Sequence, residues 1–310
     1  MARSFSPRRL FGRVAAVATF FLAAAVVVPA ATAGAQSPSK SATGTDRNGT
    51  YLALGDSVAF GYVPPTAVSG MPNYEDAHSF VSYANDVARA LGERVANASC
   101  PGETTASMLT VHAQSNGCEN SVTSTVGYRT LYPLHEAYQG SQMSYALQYL
   151  ADHHDTKLVT IDIGANDAFV CEETAPNRCT TATELGAVGA KIETNLVTIF
   201  SEIRDVAHYT GPLVLLDYYS LTYRSPFADA QSQFLNTVIN AAATYSGAFH
   251  VTIANGYTAF KSASKTATGS PCKAGLLIPV KTGGCNIHPT LKGHAVLATA
   301  ILTALKTAGA

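Results

Sequence analysis

Four short stretches of this 310-residue chain carry side chains that could do chemistry together. Gly55-Asp56-Ser57 closes one apolar run, and Asn97-Ala98-Ser99-Cys100-Pro101-Gly102-Glu103-Thr104 closes a second. Gly164-Ala165-Asn166-Asp167 closes a third, and His288-Pro289 precedes the C-terminal apolar stripe. A serine hydroxyl is a poor nucleophile until a neighbouring base takes its proton, and His288 is the candidate base for Ser57. Acyl transfer then needs donors aimed at the oxyanion that develops on the carbonyl. The N–H groups of Ser57 and Gly102 and the side-chain amide of Asn166 would supply three. Gly102 suits the task because no Cβ blocks approach of a substrate to its backbone. Plainer readings stand beside these: Ser57 as a helix cap, Gly102 as a turn glycine, Asn166 as a partner for loop backbone. Asp56 and Asp167 read as structural acceptors. His294, more than a helical turn beyond His288, reads as non-catalytic, and His153-His154 as a solvated helix end.

Strands and helices in alternation are needed to bring these residues together. Tyr51-Leu52-Ala53-Leu54 reads as a buried parallel strand. Phe80, Val81, Ala84, Val87, Ala88 and Leu91 fall at helical spacing and stop at Gly92. Residues 94–98, 157–163, 213–216 and 249–253 supply further strands. Between them lie a long amphipathic helix from Leu185 and a helix over 227–245, and a last helix carries Leu291, Ala295, Ala298, Leu302 and Leu305 on one stripe. Pro289 suits the first turn of that last helix, so His288 is expected to open it. Five β units separated by helices imply a parallel sheet covered on both faces. In such sheets reactive groups collect at the carboxyl ends of the strands, where these residues fall. Residues 101–140 and 264–287 read as irregular loops held by cysteines.

Taken in order, the four blocks resemble those of the SGNH (GDSL) hydrolases. Cys-Pro-Gly-Glu-Thr-Thr at residues 100–105 is similar to a stretch of that family's secreted actinobacterial lipases and esterases. The resemblance implies an α/β fold, a three-layer α/β/α sandwich around a flavodoxin-like five-stranded parallel sheet. It also implies Ser57 and His288 as catalytic residues, with Ser57, Gly102 and Asn166 forming the oxyanion hole. The chain departs from the family where most members place an aspartate, three residues before the histidine. Cys285 stands there, followed by Asn286 and Ile287. Some secreted members orient the histidine with a main-chain carbonyl, so the Cys285 carbonyl is the expected acceptor for His288 Nδ1. The amide oxygen of Asn286 is the rival, although a side chain two residues away need not point back at the ring.

Composition limits the remaining possibilities. The chain is 47% apolar and 13% charged, with a net charge of −1 and no basic concentration beyond its first residues. Binding that relies on neutralising nucleic-acid phosphates is therefore excluded, as are collagen-like, coiled-coil and disordered classes. Arg3, Arg8, Arg9 and Arg13 precede an apolar run from Val14 to Val28, and Ala31-Thr32-Ala33 and Ala33-Gly34-Ala35 offer cleavage sites. This is the pattern of a signal peptide over residues 1–35, and its apolar run is too short for the roughly 20 residues of a membrane span. A polar linker over 36–49 and one domain over 50–310 follow. Arg8-Arg9 loosely resembles a twin-arginine signal, but the six cysteines favour the general secretory route. They permit fifteen pairings, of which the sequential set Cys100–Cys118, Cys171–Cys179 and Cys272–Cys285 is the simplest. No spacing fits a zinc site, and neither a metal nor an organic cofactor is expected.

The leading function is a secreted carboxylic-ester hydrolase that works through an acyl-enzyme on a small-molecule or lipid ester, without nucleic acid or a stable membrane anchor. Its oligomeric state stays open, as does the choice among lipase, phospholipase A1 and short-chain esterase. A polysaccharide O-deacetylase and a catalytically silent binding or adhesion protein are the alternatives. Phe60, Tyr62, Phe169, Tyr218 and Tyr219 suit an apolar acyl groove and an ordinary core equally well.

Overall fold

A computed structural model describes residues 50–245 and 247–309. The expected signal peptide and the linker over 36–49 lie outside them. Strand β1 (Thr50–Gly55) is buried along its whole length, as a central parallel strand covered on both faces must be. It pairs in parallel with β2 (Arg94–Asn97) on one side and with β3 (Thr156–Asp162) on the other. Strands β4 (Leu213–Leu216) and β5 (Val251–Ala254) extend the sheet beyond β3, again in parallel. The strand order is β2-β1-β3-β4-β5. From β1 the chain moves outward to β2 and then returns to the other side as β3, so the order reverses between β1 and β3. That reversal opens a crevice beyond their carboxyl ends.

Helices cover both faces. Among the described residues these are α1 (Ser57–Phe60), α2 (Tyr83–Leu91), α3 (Thr105–Leu109), α4 (Tyr128–Leu131), α5 (Gln142–Asp152), α6 (Ala165–Thr174), α7 (Ala182–Ser201), α8 (Pro226–Tyr245), α9 (Gly256–Ala263) and α10 (Leu291–Ala308). In one layer α2 and α9 pack on α10, and in the other α8 and α3 pack on α7. The expected five-stranded α/β/α sandwich is what the chain forms. Among the described residues no helix is long and apolar enough to cross a membrane.

Local chemistry sets several boundaries differently from the hydrophobic pattern. Ser82 and Asn85 form a capping box, so α2 begins at Tyr83 and leaves Phe80 and Val81 outside it. Phe80 packs instead with Phe60 and Tyr128 in a small second core. The stretch over 264–287 is not wholly irregular, because β6 (Leu277–Pro279) pairs antiparallel with β7 (Cys285–Pro289). His288 therefore sits on a strand and does not open α10. The Thr290 hydroxyl accepts from the Gly293 N–H, which makes Thr290 the helix cap and leaves Pro289 as the end of β7. The three cystines are Cys100–Cys118, Cys171–Cys179 and Cys272–Cys285.

Candidate active site

Ser57 follows β1 across a turn that only glycine can enter. Gly55 has φ +139°, and a Cβ there would lie 2.1 Å from the Asp162 side chain. Gln142 pairs with this peptide from both sides, accepting from the Gly55 N–H (2.6 Å) and donating to its carbonyl (3.0 Å). The Asp56 N–H donates to the Asp162 carbonyl, and Asp56 Oδ1 caps α1 by accepting from the Val58 N–H (2.9 Å). Ser57 is thereby the first residue of a helix, held at the carboxyl edge of the sheet.

His288 reaches it from β7. Its Nε2 lies 2.8 Å from Ser57 Oγ. Its Nδ1 bonds the side-chain oxygen of Asn286, which also accepts from the His288 backbone N–H (3.1 Å). This corrects the expectation that the Cys285 carbonyl would be the acceptor. An asparagine readily turns its oxygen onto the N–H two residues ahead, and that turn brings the same oxygen to the imidazole. Because this oxygen already accepts from a backbone donor, its partner Nδ1 must carry the proton, leaving the Nε2 lone pair for the serine. The strand is steadied from outside: the Tyr219 hydroxyl donates to the Ile287 carbonyl (2.6 Å) while its ring stacks on Phe260. The Tyr62 ring meets the imidazole edge-on, with centroids 5.0 Å apart. Burial pushes His288 down to about 4, so its imidazole is uncharged at neutral pH. His294, buried in α10, is pushed down to about 3 and bonds none of the site residues.

The second and third blocks meet beside this pair. Asn166 lies at the start of α6, directly beyond β3. Its Nδ2 donates to Asp56 Oδ2 (3.2 Å), and its Oδ1 accepts from Asn116 Nδ2 (2.9 Å). The Tyr218 hydroxyl donates to the same Asp56 oxygen (2.6 Å). Burial pushes the neighbouring Asp56 and Asp162 carboxyls up, and the bonds from Tyr218 and Val58 to Asp56 oppose this. Asp167 accepts from the Thr105 N–H and hydroxyl and so ties α6 to α3, a structural acceptor as expected. Gly102 has φ +85°, and its carbonyl accepts from the Asn116 N–H (2.7 Å). The sulfurs of Cys100 and Cys118 lie close to the Glu103 carboxyl. They are bonded to each other and so offer no thiolate to a metal. Burial pushes Glu103 up to about 8.

Ser57, Gly102, Asn166 and His288 line one cleft of about 590 Å³. Much of its wall is apolar, with Phe169, Leu185, Val188, Ile192, Phe234 and Leu235 among the lining residues. The aromatic residues noted in the sequence divide between core and cleft. Phe60 is fully buried in the core, Tyr62 and Phe169 line the cleft, and Tyr218 and Tyr219 belong to both. Asn116 also lines it, and no sequence block marks that residue.

A serine–histidine pair at the switch point of a flavodoxin-like sheet, with amide groups gathered beside it, defines an α/β/α hydrolase. Residues 53–296 match the GDSL-like Lipase/Acylhydrolase family, and the chain belongs to that family. It is a carboxylic-ester hydrolase. No curated protein matches the chain. Among solved structures it is similar to a lipase from a goat rumen metagenome, with TM-score 0.50 and 14% identity over 83% of this chain and 97% of that one. It is also similar to a carbohydrate esterase family 2 enzyme plus carbohydrate binding domain from Corynascus thermopiles (Myceliophthora fergusii). There the TM-score is 0.53 and the identity 18%, over 87% of this chain and 69% of that one. At such identities the likeness speaks for the fold.

Proposed function

We propose that the protein is an exported esterase that cleaves esters of aliphatic acids through an acyl-serine. One observation carries this reading: the Ser57 hydroxyl sits 2.8 Å from His288 Nε2, while Asn286 holds the proton on Nδ1. Ser57 Oγ attacks the ester carbonyl as its proton passes to Nε2. The N–H groups of Ser57 and Gly102 and the second Nδ2 hydrogen of Asn166 bind the oxyanion, and the loss of one such donor typically costs about 10²–10³ in kcat. The oxyanion collapses, the alcohol leaves with the proton from Nε2, and the acyl group stays on Ser57. A water molecule then gives its proton to His288 and attacks the acyl carbonyl, and as this second oxyanion collapses Nε2 returns the proton to Ser57 Oγ and the acid leaves. The arginine-led apolar run before residue 36 and the three cystines support export.

The apolar wall of the cleft supports an acyl chain longer than acetyl. Each methylene buried there is worth about 0.8 kcal/mol, or roughly a fourfold gain in kcat/KM while the chain still fits. Purified protein should hydrolyse p-nitrophenyl esters with kcat/KM rising from C2 through the medium chains, and Ser57→Ala should be inactive. A maximum at C2 would favour the O-deacetylase reading. Equal inertness of both proteins would favour a silent binding protein.

A further inference from the structure

Asn116 lies in the loop closed by the Cys100–Cys118 cystine and touches two of the three groups proposed above as oxyanion donors. Its backbone N–H donates to the Gly102 carbonyl (2.7 Å) and its side chain donates to Asn166 Oδ1 (2.9 Å). A Cβ on Gly102 would fall 2.5 Å from the Asn116 carbonyl, so the two peptides are in close register. The loop around it is cross-braced. The Ser115 N–H donates to Asn120 Oδ1 (2.9 Å), the Ser115 hydroxyl to the Asn120 carbonyl (2.6 Å), and the Gly117 N–H to that same carbonyl (2.7 Å).

The two ends of a side-chain amide have nearly the same shape and opposite chemistry. Turned over, Asn166 would present its oxygen to the developing oxyanion and repel it. The surroundings forbid that orientation, because a carboxylate oxygen of Asp56 faces the Nδ2 end and an amide donor from Asn116 faces the Oδ1 end. With one Nδ2 hydrogen on Asp56, the second is left for the cleft. We propose that Asn116 is the positioning residue of the oxyanion hole, its side-chain amide holding Asn166 with the donor end toward the substrate. The proposal rests on Asn166 being an oxyanion donor, and the test separates the two claims.

The test is a double-mutant cycle read as kcat and KM on one p-nitrophenyl ester, with Asn116→Ala, Asn116→Asp, Asn166→Ala and the Asn116→Ala/Asn166→Ala pair. Every side-chain substitution leaves the backbone bond from residue 116 to Gly102 in place, so only the arm to Asn166 is probed. Asn116→Ala should lower kcat about tenfold with KM nearly unchanged, the worth of one hydrogen bond made to a catalytic group. The isosteric Asn116→Asp, which keeps the loop's shape, should lose more because its carboxylate attracts the Nδ2 end away from the cleft. In the Asn166→Ala background the Asn116 substitution should add less than about twofold. The proposal is overturned if the tenfold loss persists there, or if both Asn116 variants keep wild-type kcat while Asn166→Ala loses its two to three orders of magnitude. Wild-type kcat in Asn166→Ala would overturn the donor assignment itself.

Discussion

At His288 a neutral amide oxygen stands where a carboxylate usually would. A carboxylate fixes the imidazole tautomer and also stabilises the imidazolium that forms as Ser57 attacks, whereas an amide oxygen does the first and less of the second. The consequence shows in pH dependence. Burial sets His288 at about 4, and the base works only when neutral, so kcat/KM should rise with pH through a limb near that value. Asn286→Asp would bring a negative charge to Nδ1 and raise the histidine's pKa, so the acid limb should move to higher pH. Asn286→Ala should lower kcat by about tenfold or more, since the ring loses the partner that sets its orientation. An unshifted limb in Asn286→Asp together with wild-type kcat in Asn286→Ala would return the orienting role to another group. The sequence presented Asn286 as the lesser candidate because spacing alone does not reveal an Asx turn. That turn is a matter of backbone geometry.

The cystines act at the scale of elements. Cys272–Cys285 closes the loop that contains β6 and ends where β7 begins, three residues before His288. Opening a loop of this size frees unfolded-chain entropy worth about 2–4 kcal/mol. The Cys272→Ser/Cys285→Ser pair should therefore lower the unfolding free energy by that amount in urea titration. It should also reduce kcat, because the strand that carries the base loses a constraint. Unchanged stability would mean that packing on Tyr219 and Phe260 fixes the hairpin unaided. Elements that read as unbroken apolar runs or as helical stripes were legible in the sequence: β1, β3, β4, α7 and α8 lie within a few residues of their expected places. The β6–β7 hairpin was not, because β6 is three residues ending in Pro279 and β7, Cys285-Asn286-Ile287-His288-Pro289, has no apolar run. Pro289 was equally at home in the first turn of a helix and at the end of a strand, and only the cap at Thr290 decides between them.

Across the whole molecule, the strand order gathers residues 57, 102, 166 and 288 into one cleft. Two of the strands that deliver them, β1 and β3, flank the point where that order reverses. Side chains whose chemistry is self-evident, Ser57 and His288, could be singled out before the fold was known. Asn116 could not, since its bonds to Gly102 and Asn166 exist only once the loop has closed over the sheet. The proposed mechanism rests on a serine activated by a histidine that is distant in sequence and 2.8 Å away in the fold. The most direct measurement is labelling with an alkyl fluorophosphonate followed by intact mass and peptide mapping. One equivalent should add, on Ser57, at a rate that collapses in His288→Ala. A label on any other serine, or an undiminished rate without the histidine, would contradict the account.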